Sequence, residues 1–110
     1  MRIIARRTLK QFVHSLRGAA DQNAVKSALE SWFHEVQQAG WHTPADVTRS
    51  YSSASIVGAD RVVFNIKGNS YRLVAALDYR RQIVFIKWIG SHKAYDKIDV
   101  KTVKYADQAH

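Results

Sequence analysis

"RVVFNIKGNSYRLVAALDYRRQIVFIKWIG", residues 61–90, switches the apolar period of the chain to two. RVVFNI, SYRLVAAL and QIVFIKWI are β-branched, aromatic-rich runs of the kind that form strands. Lys67-Gly68-Asn69 and Asp78-Tyr79-Arg80-Arg81 separate them with turn chemistry, which predicts an antiparallel three-stranded meander. A two-residue loop at Gly68-Asn69 places Asn65 opposite Arg72. A four-residue loop at 78–81 places Arg72 opposite Lys87. Because side chains alternate, one face then carries Val62, Phe64, Ile66, Tyr71, Leu73, Ala75, Val84, Ile86 and Trp88. The other carries Asn65, Lys67, Arg72 and Lys87 toward one end, backed by Val63, Val74 and Phe85.

The segment before the meander supplies helices for the apolar face. RIIA, residues 2–5, reads as a short strand. Thr8 to Gln11 fits a capping box, and Leu9, Phe12, Val13 and Leu16 follow at helical spacing up to Gly18. Asp21 can cap a second helix whose stripe is Val25, Ala28, Leu29, Trp32, Phe33 and Val36, closed by Gly40. Thr43-Pro44-Ala45-Asp46 predicts a helical turn, and residues 50–59 read as a surface loop. Ser91 caps a short helix running to about Ile98. The basic tail from Val100 reads as an edge strand or a loose end. The predicted class is α+β, in the order β-α-α-β-β-β-α, with an antiparallel sheet and two N-terminal helices on one face.

At 110 residues and 46% hydrophobic composition, the chain is expected to be one domain, 1–110, with a real core. It has no cysteine, which excludes disulfides and thiol catalysis. No run is long and apolar enough for a membrane span, and nothing reads as a signal peptide, so the expected location is cytoplasmic. The net charge is +8, spread unevenly. Residues 1–20 carry five Lys/Arg and no acid; residues 21–60 carry two against five; residues 61–110 carry ten against four. That asymmetry points to a polyanionic partner such as nucleic acid or the ribosome, against the plainer reading of a basic solubilising surface.

Arg72 and Lys87, placed side by side without an acid, repel unless an anion binds between them. The helix at Ser91 starts at the same sheet end, with backbone N–H groups suited to phosphate. His92 and Tyr95, three residues apart, share one side of that helix. An imidazole titrates near neutral pH, and at the rim of a cationic face it is a proton-transfer candidate. The alternative is an exposed histidine with no role.

Residues 63–99 also closely resemble the signature of the HigB-type toxins. Phe64-Asn65-Ile66-Lys67-Gly68-Asn69-Ser70-Tyr71-Arg72-Leu73 matches the family's first motif, and Ser91-His92-Lys93-Ala94-Tyr95-Asp96 its Thr/Ser-His-x-x-Tyr-Asp motif. Ser91 stands where threonine is common, and Trp88 is bulky for its place. The opening MRIIARRTLKQFVHSL is similar to the family's start. The resemblance implies a RelE-like α+β domain and an endoribonuclease that cuts mRNA on the translating ribosome without metal or other cofactor. It implies a HigA-type helix-turn-helix antitoxin, through which alone operator DNA is contacted, and no membrane partner.

Such cleavage uses the substrate's own 2′-OH as nucleophile. On this reading Arg72 grips phosphate oxygens bidentately and Lys87 adds charge, while His92 moves a proton and Tyr95 stacks or orients. Asn65, Lys67, Asn69, Lys93 and Lys97 are the RNA-binding candidates. A non-catalytic RNA or ribosome binder uses the same charge, but only the enzyme needs His92 to titrate. A DNA-binding regulator fits less well, since no basic recognition helix is visible.

Overall fold

A computed structural model describes residues 1–58 and 60–103. The chain runs β1 (Arg2–Ile4), α1 (Arg6–Ser15), α2 (Gln22–Gln38), α3 (Pro44–Ser50), β2 (Ser55–Val57), β3 (Arg61–Ile66), β4 (Tyr71–Asp78), β5 (Ile83–Ser91) and α4 (His92–Tyr95). The strands form one sheet in the order β1-β5-β4-β3-β2. The β3-β4-β5 meander is antiparallel as expected, but β1 joins β5 in parallel, so the sheet is mixed. Three residues carry too little pattern to reveal that direction. The stretch 50–59, expected to be loop, contributes β2, in which Ser55, Ile56 and Val57 become a strand by pairing with the free edge of β3.

Helix α1 starts earlier than its supposed capping box, with Ala5 as N-cap and Thr8 inside the helix. Asp21 precedes α2 but makes no side-chain cap bond. The turn at Thr43 is a full capping box: Thr43 Oγ1 accepts from the Asp46 N–H, and the Asp46 carboxylate accepts from the Thr43 N–H. Helices α1 and α2 bring Leu9, Phe12, Val25, Leu29, Trp32 and Val36 onto the sheet face formed by Val62, Phe64, Ile66, Leu73, Ala75 and Val84. Trp32 meets Phe64 edge-on at 5.3 Å. Each such side chain contributes about 1.5–3 kcal/mol of burial free energy.

The second hairpin departs from expectation in two steps, and both move the site. The loop is 79–82 rather than 78–81, so Asp78 pairs with Ile83. Asp78 Oδ1 accepts from the Arg81 N–H at 3.0 Å, and Gln82 takes the left-handed conformation at φ 59°. That shift of two residues keeps Val84 and Ile86 on the helix face. A bulge opposite Val74/Ala75 then inserts Lys87 as an extra residue, and the alternation inverts beyond it. Ile89, not Trp88, therefore joins the helix-side core. Trp88 turns to the opposite face with Val63 and Val74.

That opposite face is partly roofed. Ala94, Tyr95, Ile98 and Val100 pack against Val63, Val74, Trp88 and Val103. Arg61 Nη1 fastens the cover by donating to the carbonyls of Val100 (3.2 Å) and Val103 (2.8 Å). The start of the basic tail is thus part of this cover, and residues 104–110 lie outside the described residues. No helix among the described residues is long and apolar enough to cross a membrane.

Candidate functional site

The β3–β4 hairpin tip is a tight turn in which the Ser70 N–H donates to the Lys67 carbonyl at 3.2 Å. Gly68 sits at φ +62°, where a side chain would be strained. The tip is moored to the helix layer: the Tyr71 hydroxyl donates to Asp21 Oδ2 at 2.6 Å, and Lys67 Nζ lies 3.9 Å from the same oxygen. The hydrogen bond to Asp21, burial and the nearby negative charge together push the Tyr71 hydroxyl from 10.0 up to about 12. Lys67 accordingly leaves the cationic group expected of it and faces the helix side.

Behind this tip, Asn65, Arg72 and Gly90 stand in a row across β3, β4 and β5. The expected Asn65–Arg72 pair is present. The expected Arg72–Lys87 pair is not, because the longer register and the bulge put Gly90 opposite Arg72 instead. Arg72 is half-buried, and its Nη1 donates to the carbonyls of Asn69 (3.0 Å) and Tyr71 (3.4 Å). Among the described residues nothing engages Nε or Nη2, so a fork of donors remains for an anion. Asn65 donates to the Ser53 carbonyl at 3.3 Å, and Asn69 is exposed at the tip.

The next residues along β5 complete this end of the sheet. Ser91 Oγ caps α4 by accepting from the Ala94 N–H at 3.1 Å, and the His92 N–H donates to the Ser70 carbonyl at 3.0 Å. The start of α4 is therefore pinned to the same hairpin tip whose Asn69 carbonyl holds Arg72. The His92 side chain is 54% exposed, with Nε2 at 3.9 Å from Asp96 Oδ2. An exposed imidazole beside a carboxylate is accessible to a substrate and can be oriented by that neighbour. Tyr95 lies lower, tilted against Trp88 at 6.2 Å between ring centroids. Lys93 and Lys97 are exposed on and just after α4.

Lys87 sits apart, half-buried, with Nζ 5.4 Å from the centre of the Phe85 ring. It is roughly 8–10 Å back along the sheet from the Arg72 row. The fold thus gathers Asn65, Asn69, Arg72 and His92 at one sheet end, with Tyr95, Lys93 and Lys97 flanking, and separates Lys67 and Lys87 from them. Asp21 and Ser70 were not legible as contributors. Asp21 looked like a helix cap, and Ser70 acts through its carbonyl, which leaves no mark on sequence.

A search of curated proteins gives no match to the chain. A family model does match, over about two thirds of the chain, and the matched segment contains every residue of the site just described except Asp21. That model is the HigB toxin family, described as the RelE-like toxic component of a toxin-antitoxin system, and the α+β architecture is compatible with it. By the match over residues 25–98, this chain belongs to the HigB toxin family.

Proposed function

We propose that this toxin is an endoribonuclease that cuts mRNA on the translating ribosome without a metal ion. The observation that supports this best is Arg72. Carbonyls of its own hairpin hold it from one side, nothing among the described residues engages Nε or Nη2, and Gly90, which has no side chain, stands opposite it on β5. In the reaction the RNA 2′-oxygen forms a bond to phosphorus as the bond to the 5′-oxygen breaks, giving a cyclic phosphate and a free 5′-hydroxyl. Arg72 binds the non-bridging oxygens as charge builds on them. His92 moves a proton at one of the two oxygens, taking it from the 2′-OH or giving it to the 5′-oxygen. Tyr95 orients His92 or stacks on a splayed base, Asn65 and Asn69 reach bases or sugar, and Lys93 and Lys97 attract the strand.

The family implies an antitoxin partner. We take it to be of the HigA type, with a helix-turn-helix domain that alone contacts operator DNA, and the toxin to act in the cytoplasm as a single domain. Purified toxin incubated in EDTA with free and ribosome-bound mRNA tests the proposal. Products with a 2′,3′-cyclic phosphate, formed about 100-fold or more slowly with Arg72→Ala, support it. Binding without any product would instead establish a non-catalytic RNA or ribosome binder.

A further inference from the structure

On the helix side of the sheet, away from the Arg72 row, α1 and α2 leave a cleft of about 420 Å³ between them. Its floor and walls are apolar: Leu9 and Leu29 are buried beneath it, and Val13 and Phe33 are half-exposed at its sides. Its rim is basic. Arg6, Lys10 and His14 line it from α1 and Lys26 from α2, with Glu30 the one acid. Among the described residues, no carboxylate forms an ion pair with Arg6, Lys10 or Lys26. The Arg6 guanidinium instead lies over the Phe33 ring, 4.8 Å from its centre, and closes one end.

Two stable helices ordinarily bury the groove between them or line it with balanced charge. Here apolar walls stand open under cations that repel one another. From the family's implied antitoxin we propose that this cleft seats an acidic, amphipathic helix of that antitoxin. The cleft favours a protein over nucleic acid as the occupant, because phosphate and sugar gain nothing from Val13 and Leu29, and Arg6 already covers the Phe33 ring on which a base would stack. A protein helix satisfies both features at once. The α1 rim, Arg6-Lys10-His14, repeats every four residues over about 12 Å, the length of two helical turns. An occupant with carboxylates four residues apart matches that spacing, and apolar residues on its adjoining face fill the cleft. The proposal needs only the antitoxin partner and is independent of whether the chain cuts RNA.

The test uses the full toxin and 20-residue peptides tiled along its cognate antitoxin. One peptide rich in Asp and Glu is expected to bind, and Lys10→Glu/Lys26→Glu in the toxin to weaken it about tenfold or more. Both lysines are exposed, so the variant should keep its circular dichroism. Arg80→Glu, on the β4–β5 loop, should leave binding within twofold. Replacing two acids of the peptide by lysine should restore binding to the double variant. The proposal is overturned if no acidic peptide binds, or if charge reversal in the cleft leaves the affinity unchanged. It is also overturned if the reversal abolishes binding of a single-stranded RNA oligonucleotide while antitoxin peptides bind as before, which would make the cleft a nucleic-acid surface.

Discussion

Tyr71→Phe removes one hydroxyl and with it the mooring of the hairpin tip to α2. The bond it breaks is short, 2.6 Å from the phenol to Asp21 Oδ2, as expected for a hydroxyl donating to a carboxylate. Hydrogen bonds to charged groups contribute about 1.5–3 kcal/mol. Asp21 is 31% exposed and can recover part of its solvation, which places the loss near the lower end, about 1.5 kcal/mol. The ring is retained, so the edge contact with Phe12 at 5.7 Å survives and no cavity opens. With a urea slope of about 2 kcal/mol per molar, the unfolding midpoint should fall by about 0.7 M. The same bond has a pH signature. Tyr71 is held neutral in the folded state, its hydroxyl raised from 10.0 to about 12, so its stabilisation is complete below pH 10. It is lost as pH rises toward 12. The difference between wild type and Tyr71→Phe should therefore be constant at neutral pH and shrink between pH 10 and 12. Tyr51, raised by burial and Glu35, and Tyr79, raised mainly by burial, also weaken the fold in alkali, but equally in both proteins. A midpoint shift below about 0.2 M, or a difference undiminished at pH 12, would refute this mooring.

Trp88→Ala should destabilise the protein by about 3–5 kcal/mol in urea unfolding, since the indole is fully buried in the outer cluster. Trp88→Phe should cost less than about 1.5 kcal/mol, because it also removes an indole N–H that has no partner among the described residues. Gly68→Ala forces a side chain to φ +62° and should cost roughly 1 kcal/mol, read from the same midpoints. In RNA cleavage, Lys87→Ala should lower the rate less than about tenfold, and Arg72→Ala by about 100- to 1,000-fold, because only Arg72 stands in the row at the sheet end.

Much of the scaffold was legible because it repeats. The six-residue apolar stripe of α2 and the alternation in 61–78 each state their face several times over, and the Asn65–Arg72 pairing followed from one tight turn. The β5 register was not legible, because two local events set it: a loop at 79–82 that shifts the pairing by two, and then one inserted residue. Nothing about Lys87 in FIKWI distinguishes a bulge from a regular strand position, yet it inverts every side chain after it. The bulge passed Trp88 to the outer cluster, and the shifted loop had already taken Lys87 from beside Arg72. Lys67 left the group for a similar reason, since its path depends on φ 53° and on Asp21, remote in sequence. Arg72 and His92 share this end because the observed register, which pairs Tyr71 with Ser91, carries the His92 N–H to the Ser70 carbonyl while the Asn69 carbonyl holds Arg72.

Catalysis by His92 is the sharpest claim, and single-turnover cleavage of mRNA by His92→Gln in EDTA tests it most directly. The side chain is exposed, so the variant should match wild type in urea midpoint and RNA affinity. Its cleavage rate should fall about 100- to 10,000-fold, and the pH dependence of the residual rate should lose one limb. A folded His92→Gln toxin that binds RNA and cuts it at the wild-type rate, with the wild-type pH profile, would remove histidine from the chemistry.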